Sequence, residues 1–195
     1  MDGVIRAVLA SANPGKAREL ERLLRGWEIA VLDRDDYPPE DGETYYENAL
    51  GKARFGREVG PAAAWSIGED SGIEVVGLGG GPGVRSARFA AGDEVGRLLA
   101  ALEGIDGEGR RARYVSELVV LTPQGDELRG TGTFAGRIAH EPAGSEGFGY
   151  DPIFVPDGQE RTVAELGDAW KAAGNSHRAR AAVALLAELE RRRTS

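Results

Sequence analysis

The order in which hydrophobic patterns change along this chain limits its fold more than any other feature. Residues 4–10 form a short apolar run that reads as a buried strand. Residues 11–15 hold Asn13, Pro14 and Gly15 and read as a loop. Leu20, Leu23 and Leu24 then recur at helical spacing, which predicts a helix over residues 16–25. Strand, loop and helix in this order are the first half of a βαβ unit. A second strand is predicted over residues 27–32, an acidic loop with Pro38 and Pro39 over 33–42, and a helix over 43–59. Residues 62–67 read as a strand that ends at Gly68-Glu69-Asp70-Ser71-Gly72. Residues 73–88 are too glycine-rich for more than a short strand, and 95–102 read as a helix. Two long strands follow, over 111–121 and 127–138, joined by a turn at Thr122-Pro123-Gln124-Gly125. Residues 144–156 read as a loop with an aromatic core, and 178–193 as an amphipathic helix. Alternating α and β, then a long β pair, then a helix imply an α/β fold with a mixed sheet. No linker interrupts the pattern, so one domain is expected over residues 1–195.

Composition excludes several functions. The net charge is −8 and no basic stripe is present, so duplex nucleic acid is not an expected partner. The chain has no cysteine, which removes disulfides, thiolate metal sites and cysteine nucleophiles, and fits a reducing cytoplasm. No run approaches the ~18 apolar residues of a membrane span. The apolar run near Met1 is too short for a signal peptide and lacks a basic region before it. A soluble, cytoplasmic protein is expected. With two histidines in all, a zinc site built from a histidine cluster is excluded, and no G-x-S-x-G elbow supports a serine hydrolase.

Certain segments carry chemistry, each with a plainer alternative. Ser11, Asn13 and Lys16 surround the start of the first helix, where unpaired N–H groups and a partial positive charge favour anions. An ordinary capped turn with a surface lysine reads the same way. Glu40, Asp41, Glu43 and Glu47 make the next segment acidic, and Glu69 and Asp70 form an adjacent carboxylate pair. Adjacent carboxylates repel unless something positive lies between them, and Mg²⁺ binds through a few carboxylates plus phosphate oxygens. A solvated turn, or acids favouring a helix N-terminus, is the alternative. Gly147-Phe148-Gly149-Tyr150-Asp151 could offer a flat face to a base, or its aromatics could fill core. Ser176 is a good helix cap, but His177 and Arg178 oppose the helix dipole, which an anionic ligand or a base carbonyl would explain.

Together, and in this order, LASANPGKARELERLL, GETYYENALGKARF, GEDSGIEVVGLGGGPGVRSARFA, EPAGSEGFGYDPIF and SHRARA resemble the inosine triphosphate pyrophosphatase family. That family acts on noncanonical purine nucleoside triphosphates. The resemblance covers nearly the whole chain. It implies an elongated mixed β-sheet flanked by helices, two lobes with a central cleft, and a homodimer. It implies that Ser11, Asn13 and Lys16 hold the triphosphate, with Lys52 a further phosphate partner. It implies Mg²⁺ on Glu40, Glu69 and Asp70, with Asp70 the proton acceptor, and Ser71 touching substrate. Phe148, Gly149, Tyr150 and Asp151 would line the base and sugar pocket, Lys171 would contact substrate, and His177 and Arg178 would read the purine. The implied activity is hydrolysis of inosine and xanthosine triphosphates, ribo or deoxy, to the monophosphate and pyrophosphate.

The chain departs from the family pattern at some positions. Glu69 replaces the more usual first Asp of the pair, and Arg85 stands where a Tyr is common. Lys171 lies one residue further from His177 than the family's substrate lysine, and the stretch from Gly92 to Gly104 is short. Two other readings remain open at this point. One is a pyrophosphatase of modified pyrimidine nucleotides, as in the Maf-like proteins, against which GFGYDP and SHR argue. The other is a nucleotide-binding regulator without catalysis, which would have no use for a metal site.

Overall fold

The computed structural model describes residues 4–11, 13–90 and 92–194. Its strands are β1 (Ile5–Leu9), β2 (Trp27–Val31), β3 (Trp65–Val75), β4 (Arg111–Leu121), β5 (Glu127–Ile138) and β6 (Phe154–Pro156). Its helices are α1 (Pro14–Leu23), α2 (Tyr45–Val59), α3 (Ser86–Ala90), α4 (Glu94–Ala101), α5 (Val163–Leu166), α6 (Asp168–Ala172) and α7 (His177–Arg193). The strands form one six-stranded sheet in the order β2-β1-β3-β4-β5-β6. β1 runs parallel to β2 and to β3, whereas β5 and β6 are antiparallel, so the sheet is mixed as expected.

The chain divides into two compact units. The first comprises Met1–Asp70, Ser116–Gly132 and Arg178–Ser195, and the second Ser71–Val115 and Thr133–His177. In the first unit, β4 shows why the sheet has helices on both faces. Leu118 and Val120 pack with Leu20 and Leu24 of the α1 segment and with Ala181 and Leu185 of α7. Val119 and Leu121, one residue out of phase, pack with Ala49, Leu50 and Ala53 of α2. Side chains alternate across a strand, so a strand buried on both faces loses its polar alternation. Each fully buried leucine here contributes roughly 1.5–3 kcal/mol relative to exposure. The second unit is built on Ile73, Leu98, Leu102, Tyr114, Phe134, Ile138, Tyr150 and Phe154. The Tyr114 and Phe154 rings lie 4.6 Å apart.

The structure corrects the expected turn at residues 68–72. β3 runs straight through Gly68-Glu69-Asp70-Ser71-Gly72 to Val75, so the two acids stand within a strand and not at its end. Gly68 gave the misleading signal. A Cβ there would strike the Ala49 carbonyl oxygen and the Ala53 nitrogen of α2, so this glycine serves close packing and not a turn. Phe154–Pro156 was expected in a loop, but pairs with Gly136–Ile138 as β6. A three-residue strand carries no periodicity and depends on its partner. The short helices α3, α5 and α6 were likewise too brief to show a period, although α5 carries a capping box of Thr162 and Glu165.

Gly68→Ala forces a methyl group into helix backbone, which cannot rotate away. We expect a loss of at least about 1–3 kcal/mol, read as a lower urea midpoint at unchanged slope. An unchanged midpoint would show that α2 does not bear on β3 at this point.

Candidate active site

In the first unit, the close approach of α2 to Gly68 decides what meets Asp70. Asn48 and Lys52 are four residues apart, on one face of α2. Lys52 Nζ donates to Asp70 Oδ1 at 3.1 Å and to the Glu69 carbonyl at 3.1 Å. It also forms an ion pair with Glu40. Asn48 Nδ2 donates to Asp70 Oδ2 at 3.1 Å, and Asn48 Oδ1 accepts from the Gly42 N–H at 2.9 Å. Both oxygens of Asp70 therefore face donors from α2. Burial raises the Asp70 carboxyl above its ordinary pKa, although Lys52 and Lys16 oppose this. Burial alone would lower the Lys52 ammonium, but Asp70 and Glu40 outweigh it and hold the group above its ordinary value. Glu40 is likewise held below the usual carboxylate range, because Lys52 outweighs its own desolvation.

Glu69 sits on the same strand, fully buried, in a second ion network. Its Oε1 accepts from Ser116 Oγ at 2.9 Å and from Arg178 Nε and Nη2 at 3.3 and 3.1 Å. Its Oε2 meets Lys16 Nζ at 2.6 Å. Arg178 Nη1 donates to Glu19 Oε2 at 2.5 Å, so the guanidinium lies between two carboxylates. Burial opposes charge on Glu69, but Arg178, then Lys16 and Lys52, pull its pKa well below the ordinary range. Ser11 and Asn13 shape the start of α1: Asn13 Oδ1 caps the Gly15 N–H at 2.9 Å, and Ser11 Oγ accepts from the Asn13 N–H at 3.2 Å.

In the second unit, Asp151 organises the glycine-aromatic segment. Its Oδ2 accepts from the Phe148 N–H at 3.1 Å and from Lys171 Nζ at 2.9 Å, and its Oδ1 from Tyr114 Oη at 3.4 Å. Lys171 also meets Asp168 at 3.3 Å and lies 5.0 Å from the Phe148 ring centroid. Gly147 and Gly149 both take positive φ. A Cβ on Gly147 would press on Asp151 and Lys171. Phe148 is exposed, whereas Tyr150 is core, its hydroxyl donating to the Ser86 carbonyl at 3.2 Å. Burial pushes the Tyr150 hydroxyl up to about 12. The His177 ring stacks on Tyr114 at 4.6 Å. Ser71 follows Asp70 in β3 and is partly exposed.

The structure thus joins Lys16, Glu40, Lys52, Glu69, Asp70 and Arg178 in one unit, and Phe148, Asp151, Lys171 and His177 in the other. Sequence reasoning did not single out Asn48, Glu19 or Ser116. Asn48 carried a faint signal, standing one helical turn before Lys52 on the same face.

Comparison with known proteins bears on what these groups do. The sequence model of the Ham1 family matches residues 7–188. A dITP/XTP pyrophosphatase of Symbiobacterium thermophilum is 48% identical over 191 residues, covering 94% of each chain. Its counterpart from Bdellovibrio bacteriovorus is 40% identical over 193 residues, 93% of this chain and 96% of that one. Among solved structures, a nucleoside-triphosphatase / dITP/XTP pyrophosphatase from Mycobacterium abscessus aligns with a TM-score of 0.72 at 41% identity, over 95% of this chain and 100% of that one. The Ham1 protein of Staphylococcus aureus aligns with a TM-score of 0.79 at 32% identity, over 96% and 99%.

Glu69→Gln leaves the buried Arg178 with Glu19 as its remaining carboxylate partner and sets a neutral group beside Lys16. We expect a loss of about 3–5 kcal/mol at pH 7, the usual result of breaking a buried pair. The depressed Glu69 pKa also fixes the pH sense. Its stabilisation is full above the ordinary carboxylate value of ~4.3 and fades as pH falls below it. The gap in urea midpoint between parent and Glu69→Gln should therefore narrow in acid. A gap that widens below pH 4 would contradict the ion network.

Proposed function

The chain belongs to the Ham1 family, and from that premise we infer that it hydrolyses noncanonical purine nucleoside triphosphates, such as dITP and XTP, to the monophosphate and pyrophosphate. The observation that carries the chemistry is Asp70, buried and clamped on both oxygens, beside two lysines. Phosphoryl chemistry needs cations around the oxygens and a group to orient the water.

In the proposed reaction, Asp70 accepts a proton from water as the oxygen attacks the α-phosphorus. The bond from the α-phosphorus to the bridging oxygen breaks, and pyrophosphate leaves with that oxygen. A raised Asp70 pKa suits a proton acceptor, because a base works best with a pKa near the working pH. Lys16 and Lys52 neutralise the departing negative charge, with Ser11 and Asn13 framing the triphosphate at the start of α1. Phe148, Gly149, Tyr150 and Asp151 would serve the base and sugar side, with Ser71, Lys171 and His177 as further substrate contacts, whereas a substrate role for Arg178 would require it to leave Glu19 or Glu69.

The residues also suit Mg²⁺. Glu40 and Asp70 both turn a carboxylate oxygen onto one cationic point, the Lys52 ammonium. Among the described residues no group of three or more such side chains would hold a metal alone. One or two carboxylates completed by substrate phosphates is the usual Mg²⁺ arrangement. When bound, the ion would neutralise phosphate oxygens and polarise the phosphorus. Glu40 and Asp70 would hold it, and a ligand role for Glu69 would require Oε2 to leave Lys16. We also propose a cytoplasmic homodimer on the family resemblance. No helix among the described residues is long and apolar enough to cross a membrane.

Specificity should rest on the purine 6-position, where hypoxanthine and xanthine carry a keto acceptor and adenine an amino donor. Donors facing that position would be left unpaired by adenine, at about 1–3 kcal/mol each. A product assay over a panel of triphosphates, with and without Mg²⁺, tests this. We expect pyrophosphate from dITP and XTP, at least about tenfold slower turnover of ATP, and dependence on the metal. Release of orthophosphate, or inertness toward dITP, would refute the activity. Asp70→Asn should lower kcat by about 10²-fold or more while nucleotide affinity persists. A variant that turns over normally would remove Asp70 from the proton transfer.

A further inference from the structure

Asn48 is 5% exposed, lies outside the residues the family resemblance assigns to the site, and touches two parts of it at once. Its amide has only one workable orientation. The Gly42 backbone N–H can only donate, so the amide oxygen must face it, at 2.9 Å. The NH₂ group is thereby turned on Asp70 Oδ2, at 3.1 Å. Lys52 holds the other oxygen, Oδ1. The Asp70 carboxylate is therefore gripped across its width by two donors from one helix face, and its plane cannot turn without breaking one of them. Gly42 is two residues from Glu40, so the side chain that orients Asp70 also anchors the segment bearing Glu40. The start of α2 needs no help from Asn48, because Thr44 and Glu47 form a complete capping box. Nor is Asn48 needed to fill space against β3, a task done by Ala49 and Ala53 at Gly68.

We propose that Asn48 is a positioning residue: its amide, locked by the Gly42 N–H, sets the orientation of the Asp70 carboxylate and ties the Glu40 segment to it. This rests on the reading of Asp70 as proton acceptor in a nucleoside triphosphate pyrophosphatase. The role calls for a donor toward Asp70 and an acceptor toward Gly42, which an asparagine amide supplies at nearly fixed separation. Aspartate has the same shape and keeps the acceptor for Gly42, but offers an oxygen to Asp70 in place of a donor. Serine removes the reach to Asp70 without adding charge.

The test uses the whole protein and compares parent, Asn48→Asp and Asn48→Ser on dITP. Folded fraction is followed by circular dichroism, and binding of a non-hydrolysable α,β-imido-dITP by calorimetry. We expect both variants to lose at least about tenfold in kcat, a factor that corresponds to roughly 1.4 kcal/mol of barrier. Measured without added Mg²⁺, so that the metal contact proposed for Glu40 and Asp70 does not enter, the analogue Kd of Asn48→Ser should stay within about threefold of the parent. A kcat within threefold of parent in either folded variant overturns the proposal. So does a fall in kcat matched by equal loss of analogue binding, or failure of both variants to fold, since each assigns Asn48 to structure alone. The parent is assayed first. A parent inert toward dITP sinks the pyrophosphatase reading, and the role of Asn48 falls with it. An active parent with unaffected variants sinks the positioning role alone.

Discussion

The backbone contact between α2 and β3 at Gly68 is the constraint on which the acidic site depends. Only a residue without a Cβ lets the helix come this near the strand, because the Ala49 carbonyl and Ala53 amide occupy the space a methyl group would need. At that distance the neighbouring side chains of the helix, Asn48 and Lys52, reach Asp70, which stands two residues further along β3. A helix one methyl group further off would leave these hydrogen bonds too long. Packing and chemistry therefore share one contact. A glycine inside a strand, ordinarily a weakness, is here what brings Lys52 and Asn48 to Asp70.

Charge is then distributed by pairing acids with bases at close quarters. Glu69, Asp70 and Glu40 would repel one another if left alone, and burial would drive them toward the neutral form. Lys16, Lys52 and Arg178 reverse that, most completely at Glu69, where three cations hold the carboxyl ionised in spite of full burial. Asp70, with fewer cations, stays above its ordinary pKa. Two adjacent acids on one strand are thus set apart by environment, one held below and the other above its ordinary pKa. Divergent pKa values in neighbouring carboxyls mark acid–base sites generally.

Longer elements were legible in the sequence and shorter ones were not. The strands at Arg111–Leu121 and Glu127–Ile138 were read with their observed limits, since each is long enough to show its turn and flanks. In β5 every second residue is buried, which the alternation of its side chains already suggests. By contrast β6, α3, α5 and α6 span five residues or fewer, too little for a period to register. At residues 68–72 the reading failed for a different reason. Glycine and adjacent acids are turn residues by local chemistry, and the packing and cations that override this come from segments distant in sequence.

By itself the sequence determined the α/β class, the family, and which residue types were on hand for phosphate chemistry, because period, turn chemistry and motif strings are local properties. It could not determine that Arg178 lies between Glu19 and Glu69, that Ser116 supports Glu69, or that Asn48 meets Asp70. Those pairings span 22 to 159 residues and exist only once the sheet and its helices are packed. A carboxylate's role depends on which donors reach it and on how much water remains beside it. Both are settled by tertiary packing.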